Sequence, residues 1–225
     1  MYASGRRWSI AALLCTAILT LYTSDSAAAG FVAANLADDG SFGWGSYNLT
    51  GPKAVTRTGY SYAVRFGLAS DLPVAFESAI LGLAYRGGIN ELDVILMSDN
   101  HGSPGIPIET IHLSGLSKVP TMVVASSVTH PLLDPSKLYW LVAIATNDSY
   151  FSWMSNPYYE AGHLSYRLDT GRGPGPWRST PYSYDPAFAI MAVPSSGQSS
   201  FSLVGIGLMT LKGLRAFRRS RTMSV

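Results

Sequence analysis

Cysteine is almost missing. The 225-residue chain has one, Cys15, inside an apolar N-terminal stretch and preceded by Leu14 instead of the small residue a lipidation signal needs. The rest of the chain therefore forms no disulfide, carries no cysteine nucleophile and offers no thiolate metal site. Charge is scarce too: 13% of residues are charged and 47% are hydrophobic, against roughly 25% charged in an average domain. Helical bundles and coiled coils, with their charged outer faces, are excluded on that ground, and so is disorder throughout. Sustained helical periodicity is absent, as is any internal repeat. Gly-x-Ser-x-Gly elbows, phosphate-cradling glycine loops and dinucleotide fingerprints are all lacking, so no local motif supports a hydrolase of that kind or a nucleotide enzyme.

Positive charge is in excess only at the ends. The formal net charge is +2, but residues 30–193 hold nine Lys and Arg against thirteen Asp and Glu, a net of −4. An acidic body has no electrostatic basis for binding nucleic acid. Four histidines, His101, His112, His130 and His163, show no pair at helical zinc spacing. Asp99 and Asn100 are weak candidates for a calcium loop, though a turn needs the same residue types. No cofactor is expected, nor a catalytic role.

The N-terminus reads as an export signal over residues 1–29. Arg6 and Arg7 supply a basic start, Ile10 to Tyr22 an apolar run, and Ala27-Ala28-Ala29 the small residues for cleavage between Ala29 and Gly30. At the other end, residues 194–200 form a Ser-rich linker. Residues 201–217 follow as an apolar stretch of about 17 residues, the short limit for a membrane-spanning helix, with Lys212 and Arg215 able to snorkel. Arg218, Arg219 and Arg221 then mark residues 218–225 as a basic cytoplasmic tail, which leaves the preceding domain on the exported side of the membrane.

This C-terminal arrangement resembles the PEP-CTERM sorting signal of Gram-negative bacteria: a proline motif, a Gly-containing apolar helix and an Arg-rich end. The resemblance implies export, an exosortase-like processing partner, and an association with extracellular polysaccharide. The chain departs from the family at Val193-Pro194-Ser195-Ser196, where Glu and a second Pro are missing. Membrane insertion depends only on the apolar stretch and its basic flank.

Between the ends, residues 30–193 read as one all-β domain, a single jelly-roll-like β-sandwich. Tyr60 to Phe66 alternates with period two, placing Tyr60, Tyr62, Val64 and Phe66 on one face. Further strand-like runs are Ala79 to Tyr85, Leu92 to Met97, Pro107 to Leu113, Thr121 to Val128, Leu138 to Ala145, Ser149 to Trp153, His163 to Leu168 and Ala187 to Val193. Ser98 to Gly105 and Gly171 to Pro176 read as exposed loops, and Gly30 to Pro52 as an arm draped over the domain. From Phe66 to Val193 the chain resembles the bacterial choice-of-anchor domains, particularly type R. The likeness is carried by Ser103-Pro104-Gly105, the strand Lys137 to Ala143, Trp153 after an Asn-Asp turn, and Pro186-Ala187-Phe188. It implies an exported β-rich domain whose surface anchor varies between members.

One feature hints at a ligand. Tyr158, Tyr159, Trp177, Tyr182 and Tyr184 lie in a Ser-, Asn- and Pro-rich segment where loops are expected, and exposed aromatic faces stack on sugar rings. Aromatics also fill sandwich interiors, the role expected of Trp140 and Trp153. The first expectation is therefore a non-catalytic envelope or matrix domain, anchored at the inner membrane facing the periplasm or released to the cell surface. A carbohydrate-binding module built on the five loop aromatics is the alternative; a secreted hydrolase comes third.

Overall fold

The structure, a computed structural model, describes residues 29–54, 58–158, 162–180 and 184–195. The export signal up to residue 28, most of the linker, the apolar stretch, the basic tail, Tyr159 and Tyr182 lie outside the described residues. Among the described residues there are thirteen strands and no helix, hence none that is long and apolar enough to cross a membrane.

The strands are β1 (Gly30–Ala34), β2 (Ser46–Thr50), β3 (Gly59–Gly67), β4 (Val74–Gly87), β5 (Glu91–Asn100), β6 (Ser103–Ser114) and β7 (Thr121–Ser126). They continue with β8 (Leu132–Leu133), β9 (Leu138–Ala145), β10 (Tyr150–Met154), β11 (Leu164–Asp169), β12 (Arg178–Thr180) and β13 (Phe188–Pro194). All belong to one antiparallel sheet ordered β1-β13-β4-β10-β2-β3-β9-β5-β6, with β7 and β8 also pairing with β4, and β11 followed by β12 on β3. The nine strand-like runs of the sequence coincide with β3 to β7, β9 to β11 and β13, though β4 and β6 begin several residues before their runs.

The sheet curls because its middle is joined at one point. β2 meets β3 only at Thr50↔Tyr60. There the Tyr60 amide donates to Thr50 Oγ1 at 3.0 Å and the same hydroxyl donates to the Thr58 carbonyl at 2.9 Å, so a side chain replaces ladder bonds where the chain turns its corner. The two halves fold toward each other and bury their facing residues. Leu49, Phe76, Leu83, Phe151, Trp153, Phe188 and Ile190 from one half meet Val64, Phe66, Leu92, Val94, Leu96, Leu141 and Ala143 from the other. Trp153 is fully buried, its indole donating to the Ala187 carbonyl at 2.9 Å.

Strand alternation sends the intervening residues of β3, β5 and β9 to the outer face. Ala63, Met97, Trp140 and Val142 form a second apolar cluster there, with Ile95, Ile144 and Trp177 packed against it. The fold thus places both Trp140 and Trp153 in buried positions, as their core reading required.

Two sequence expectations are corrected. Ser98 to Gly105 is not an open loop: the β5–β6 ladder continues to Asn100↔Ser103, leaving only His101 and Gly102 as the turn. Both have positive φ, 50° and 84°, the conformation whose twist matches a tight two-residue hairpin. The several turn-formers in that segment obscured the one pair that turns. The segment Gly30 to Pro52 is likewise no surface arm, since β1 closes one edge on β13 and β2 pairs along all of β10. Even the Gly/Pro segment after β11 is held tightly, by the Gly175 amide donating to the Leu168 carbonyl at 2.7 Å and a bridge between Asp169 and Pro174.

Candidate functional site

The core face does not end where the core ends. Along β3 the residues Phe66 and Val64 are buried, but Tyr62 and Tyr60 on the same face are only half covered. β11 pairs in register, Leu164↔Val64, Tyr166↔Tyr62 and Leu168↔Tyr60, and directly opposed residues of an antiparallel pair share a face. The result is a groove of about 440 Å³ lined by Tyr47, Tyr60, Tyr62, Leu164, Tyr166, Leu168 and Thr180. Its volume lies in the range of small-ligand sites.

Three of the tyrosines form a row across the strands. Tyr47 and Tyr62 have ring centroids 5.1 Å apart, and Tyr62 and Tyr166 6.5 Å apart, both pairs tilted, at 50° and 37°. The Tyr47 hydroxyl donates to the Tyr184 carbonyl, fixing its ring. Burial pushes the Tyr47 phenol up to about 12, with Asp185, Tyr62 and Tyr184 adding to the effect. Burial also raises Tyr62, reinforced by Tyr60 and Tyr166. Both remain neutral phenols in any physiological buffer. Among the described residues neither a cation nor a carboxylate lines the groove, though Asp185 is near enough to act on Tyr47.

Of the aromatics singled out from sequence, Tyr158, Trp177 and Tyr184 are described, and none of them lines the groove. Successive residues of β11 point to opposite faces, so Tyr166 enters the groove whereas Arg167 lies across the sheet and stacks on Trp177, 4.8 Å from guanidinium to ring centroid. Trp177 thus has one face covered by a cation while it also packs on the outer apolar cluster. Tyr158 and Tyr184 are exposed and belong to adjoining segments, because the Asn156 amide donates to the Asp185 carbonyl at 2.9 Å and Ser155 bridges to Pro186. Through the Tyr184 carbonyl this pair of segments abuts the groove.

Asp99, the calcium candidate, spends both oxygens within the protein. Oδ1 accepts the Trp140 indole N–H at 2.7 Å and Oδ2 accepts the Gly102 amide at 3.0 Å. Asp99 also borders a smaller cavity of about 310 Å³ with Ser98, Ser136, Lys137, Leu138 and Tyr139. Asn100 ends β5 opposite Ser103. Among the described residues no three His, Cys, Asp or Glu side chains stand close enough to hold a metal ion. Ala29 precedes β1 and Gly30 is its first residue.

Tyr47, Tyr166 and Trp44 were not singled out from sequence. Trp44 is 96% exposed at the crest of a Gly-Trp-Gly arch whose two ends bond to the same residue, Gly43 N–H to the Ser155 carbonyl at 2.8 Å and Ser155 N–H to the Gly45 carbonyl at 2.7 Å. Two glycines flanking a tryptophan were the available signal. For Tyr47 and Tyr166 no local signal existed, since strand pairing alone brings them to Tyr62. No family model matches this chain, and neither does any curated protein or solved structure.

Proposed function

We propose that this protein is an exported, anchored, non-catalytic binding domain of the bacterial envelope or extracellular matrix, of the choice-of-anchor kind, with the tyrosine groove as its contact site. On this reading the curled sheet is a jelly-roll-like sandwich carried between a cleaved export signal and a membrane-inserted tail. The observation that carries the proposal is the polarity of the ladder. Gly30 pairs with Ala192, and Pro194 pairs with Val74 at the start of β4, so the segments leading to both targeting ends leave from one pole. At the far end of β4, Gly87 pairs with Tyr150, Tyr150 with Thr50, and Thr50 with Tyr60 of the groove. The 14 residues of β4, at ~3.3 Å each, separate the two poles by roughly 40 Å. A domain tethered by its ends would therefore hold the groove away from the bilayer.

The test is fractionation of the full-length chain beside a form lacking residues 199–225. The full-length protein is expected in the membrane fraction with residues 1–29 removed, and the shortened form in the soluble exported fraction. Recovery of the full-length chain from the cytosol with its first residues intact overturns the proposal, as does membrane retention of the shortened form. The carbohydrate-binding alternative is supported by the hydroxyls of Tyr60, Tyr62 and Tyr166, which bond to no described residue, and on this reading its site lies on β2, β3 and β11.

A further inference from the structure

We infer that the groove formed by Tyr47, Tyr60, Tyr62 and Tyr166 binds a neutral glycan chain, its sugar rings stacked on the tyrosine row and its hydroxyls bonded to the phenols. This deepens the reading of the groove as the contact site and rests on it. Three observations define the ligand class. The rings of Tyr47, Tyr62 and Tyr166 follow one another at 5.1 and 6.5 Å and so form one continuous strip of aromatic surface across three strands. Aromatic faces take up the apolar C–H faces of sugars, the mode open to a ligand that has no aromatic or aliphatic groups of its own.

The second observation concerns hydrogen bonding. The Tyr47 hydroxyl is committed to Tyr184, whereas those of Tyr60, Tyr62 and Tyr166 bond to no described residue. Each is both a donor and an acceptor, which suits a polyhydroxylated ligand and would be left unmet by a purely apolar one. Thr180 adds a further hydroxyl at the lining, though it also reaches the Leu164 carbonyl at 3.3 Å.

Charge supplies the third. Among the described residues no Lys or Arg lines the groove, and residues 30–193 carry a net charge of −4, from nine basic and thirteen acidic residues. Acidic polysaccharides would meet a body of net negative charge. Arg178 opposes Tyr166 in the β11–β12 pair and so shares the groove's face, exposed beyond the described lining, where a solvated cation adds little against the net negative charge of the body. A neutral chain has no such cost. The groove's position on paired strands also spares it the ordering entropy of a loop site.

The experiment is affinity electrophoresis of the full-length chain, kept in detergent, through gels containing soluble neutral glycans (β-glucan, xylan, galactomannan and dextran) or alginate as the acidic probe. Retardation by at least one neutral glycan and none by alginate is expected. Tyr166→Ala and Tyr62→Ala should each weaken binding about tenfold, the loss of one stacked ring. Tyr166→Phe, which keeps the ring and the packing, should weaken it about threefold by removing one hydroxyl. Thermal unfolding of each variant reports folding, and His112→Ala, on the far edge strand, should bind as the wild type does. Silence across all four neutral glycans overturns the inference. So does stronger retardation by alginate, or unchanged binding by Tyr166→Phe together with either folded alanine variant. Membrane fractionation does not depend on these side chains, so loss of glycan binding with fractionation intact rejects the ligand and leaves the anchored-domain reading standing.

Discussion

Glu109 should be the most consequential carboxylate for stability. It lies on β6, 7% exposed, and it reaches over to the turn that follows β7. Its Oε2 accepts the Ser127 hydroxyl at 2.6 Å, and its Oε1 accepts the Val128 and Thr129 amides at 2.7 and 2.9 Å. Ser127 Oγ in turn accepts the His130 amide at 2.8 Å, which holds a residue with a φ of 46°. Hydrogen bonds to a charged acceptor contribute about 1.5–3 kcal/mol each, reduced here because both amides are only partly buried, so Glu109→Ala should cost about 3–4 kcal/mol. With a urea slope of ~2 kcal/mol/M that lowers the midpoint by roughly 1.5–2 M. Glu109→Gln keeps an acceptor for the two amides and a donor for Ser127, and should lose only about 1 kcal/mol. Burial alone would raise the Glu109 pKa, yet the bonds from Ser127, Thr129 and Val128 outweigh it and hold the pKa below the ordinary 4.5. A depressed folded pKa means that the ionised carboxylate stabilises above the unfolded value and that this contribution fades as pH falls through the folded one. Urea titrations at pH 7 and pH 3 should therefore show the gap between wild type and Glu109→Gln shrinking in acid. A midpoint loss below about 0.5 M for Glu109→Ala, or a gap that does not change with pH, refutes the clamp.

Two further outcomes follow from local geometry. Gly88 has a φ of 75°, and a Cβ there would stand 2.0 Å from the Asp148 carbonyl oxygen, whereas Gly115, at 68°, has nothing within 4 Å. Gly88→Ala should thus cost more than Gly115→Ala, which bears only the backbone strain of about 1 kcal/mol; equal unfolding midpoints would contradict the close approach of the β4–β5 turn to the turn before β10. His112 Nδ1 lies 2.9 Å from Asp93 Oδ1, and this bond, then the charges of Asp93 and Glu91, raise its pKa above 6.5 against an opposing effect of desolvation. The pair's contribution is present below the unfolded pKa of 6.5 and is lost as pH rises through the folded value. An NMR titration should show His112 moving down in Asp93→Asn, and an unmoved midpoint would sink the assignment.

What the sequence made legible was the pattern carried by single strands. Leu92, Val94 and Leu96 alternate with less buried neighbours, and Leu138 to Ala145 is apolar throughout, because β9 lies between β3 and β5 with both faces covered. β2 escaped notice for a physical reason: Ser46 and Asn48 face solvent, Tyr47 and Leu49 face inward, and five residues with two apolar ones look like any loop. β8 and β12, of two and three residues, are too short to show a period at all. The groove was half legible. Tyr60 and Tyr62 were placed on the face of Val64 and Phe66, but Tyr166 joins Tyr62 only through pairing across about a hundred residues, and no local pattern encodes that. Trp177 misled for the opposite reason, since a Gly- and Pro-rich neighbourhood suggested exposure and gave no sign of Arg167 stacked on the ring.

The order of residue types along β3 and β11 explains why a groove forms where it does. Leu164 and Val64 are opposed and buried; one step along the same face Tyr166 opposes Tyr62, and one step further Leu168 opposes Tyr60. An aliphatic pair demands full cover from the facing half of the sheet. A tyrosine pair does not, because its ring extends the apolar surface and its hydroxyl tolerates water. Along β3 the change from Phe66 and Val64 to Tyr62 and Tyr60 therefore falls where burial of that face declines, toward the Thr50↔Tyr60 corner. A site made by running the core face past its cover needs no dedicated loop to hold it. Its walls are strands already fixed by the ladder and by the buried Val64, Phe66 and Leu164 alongside, so the arrangement that a ligand meets is the one that folding has already set.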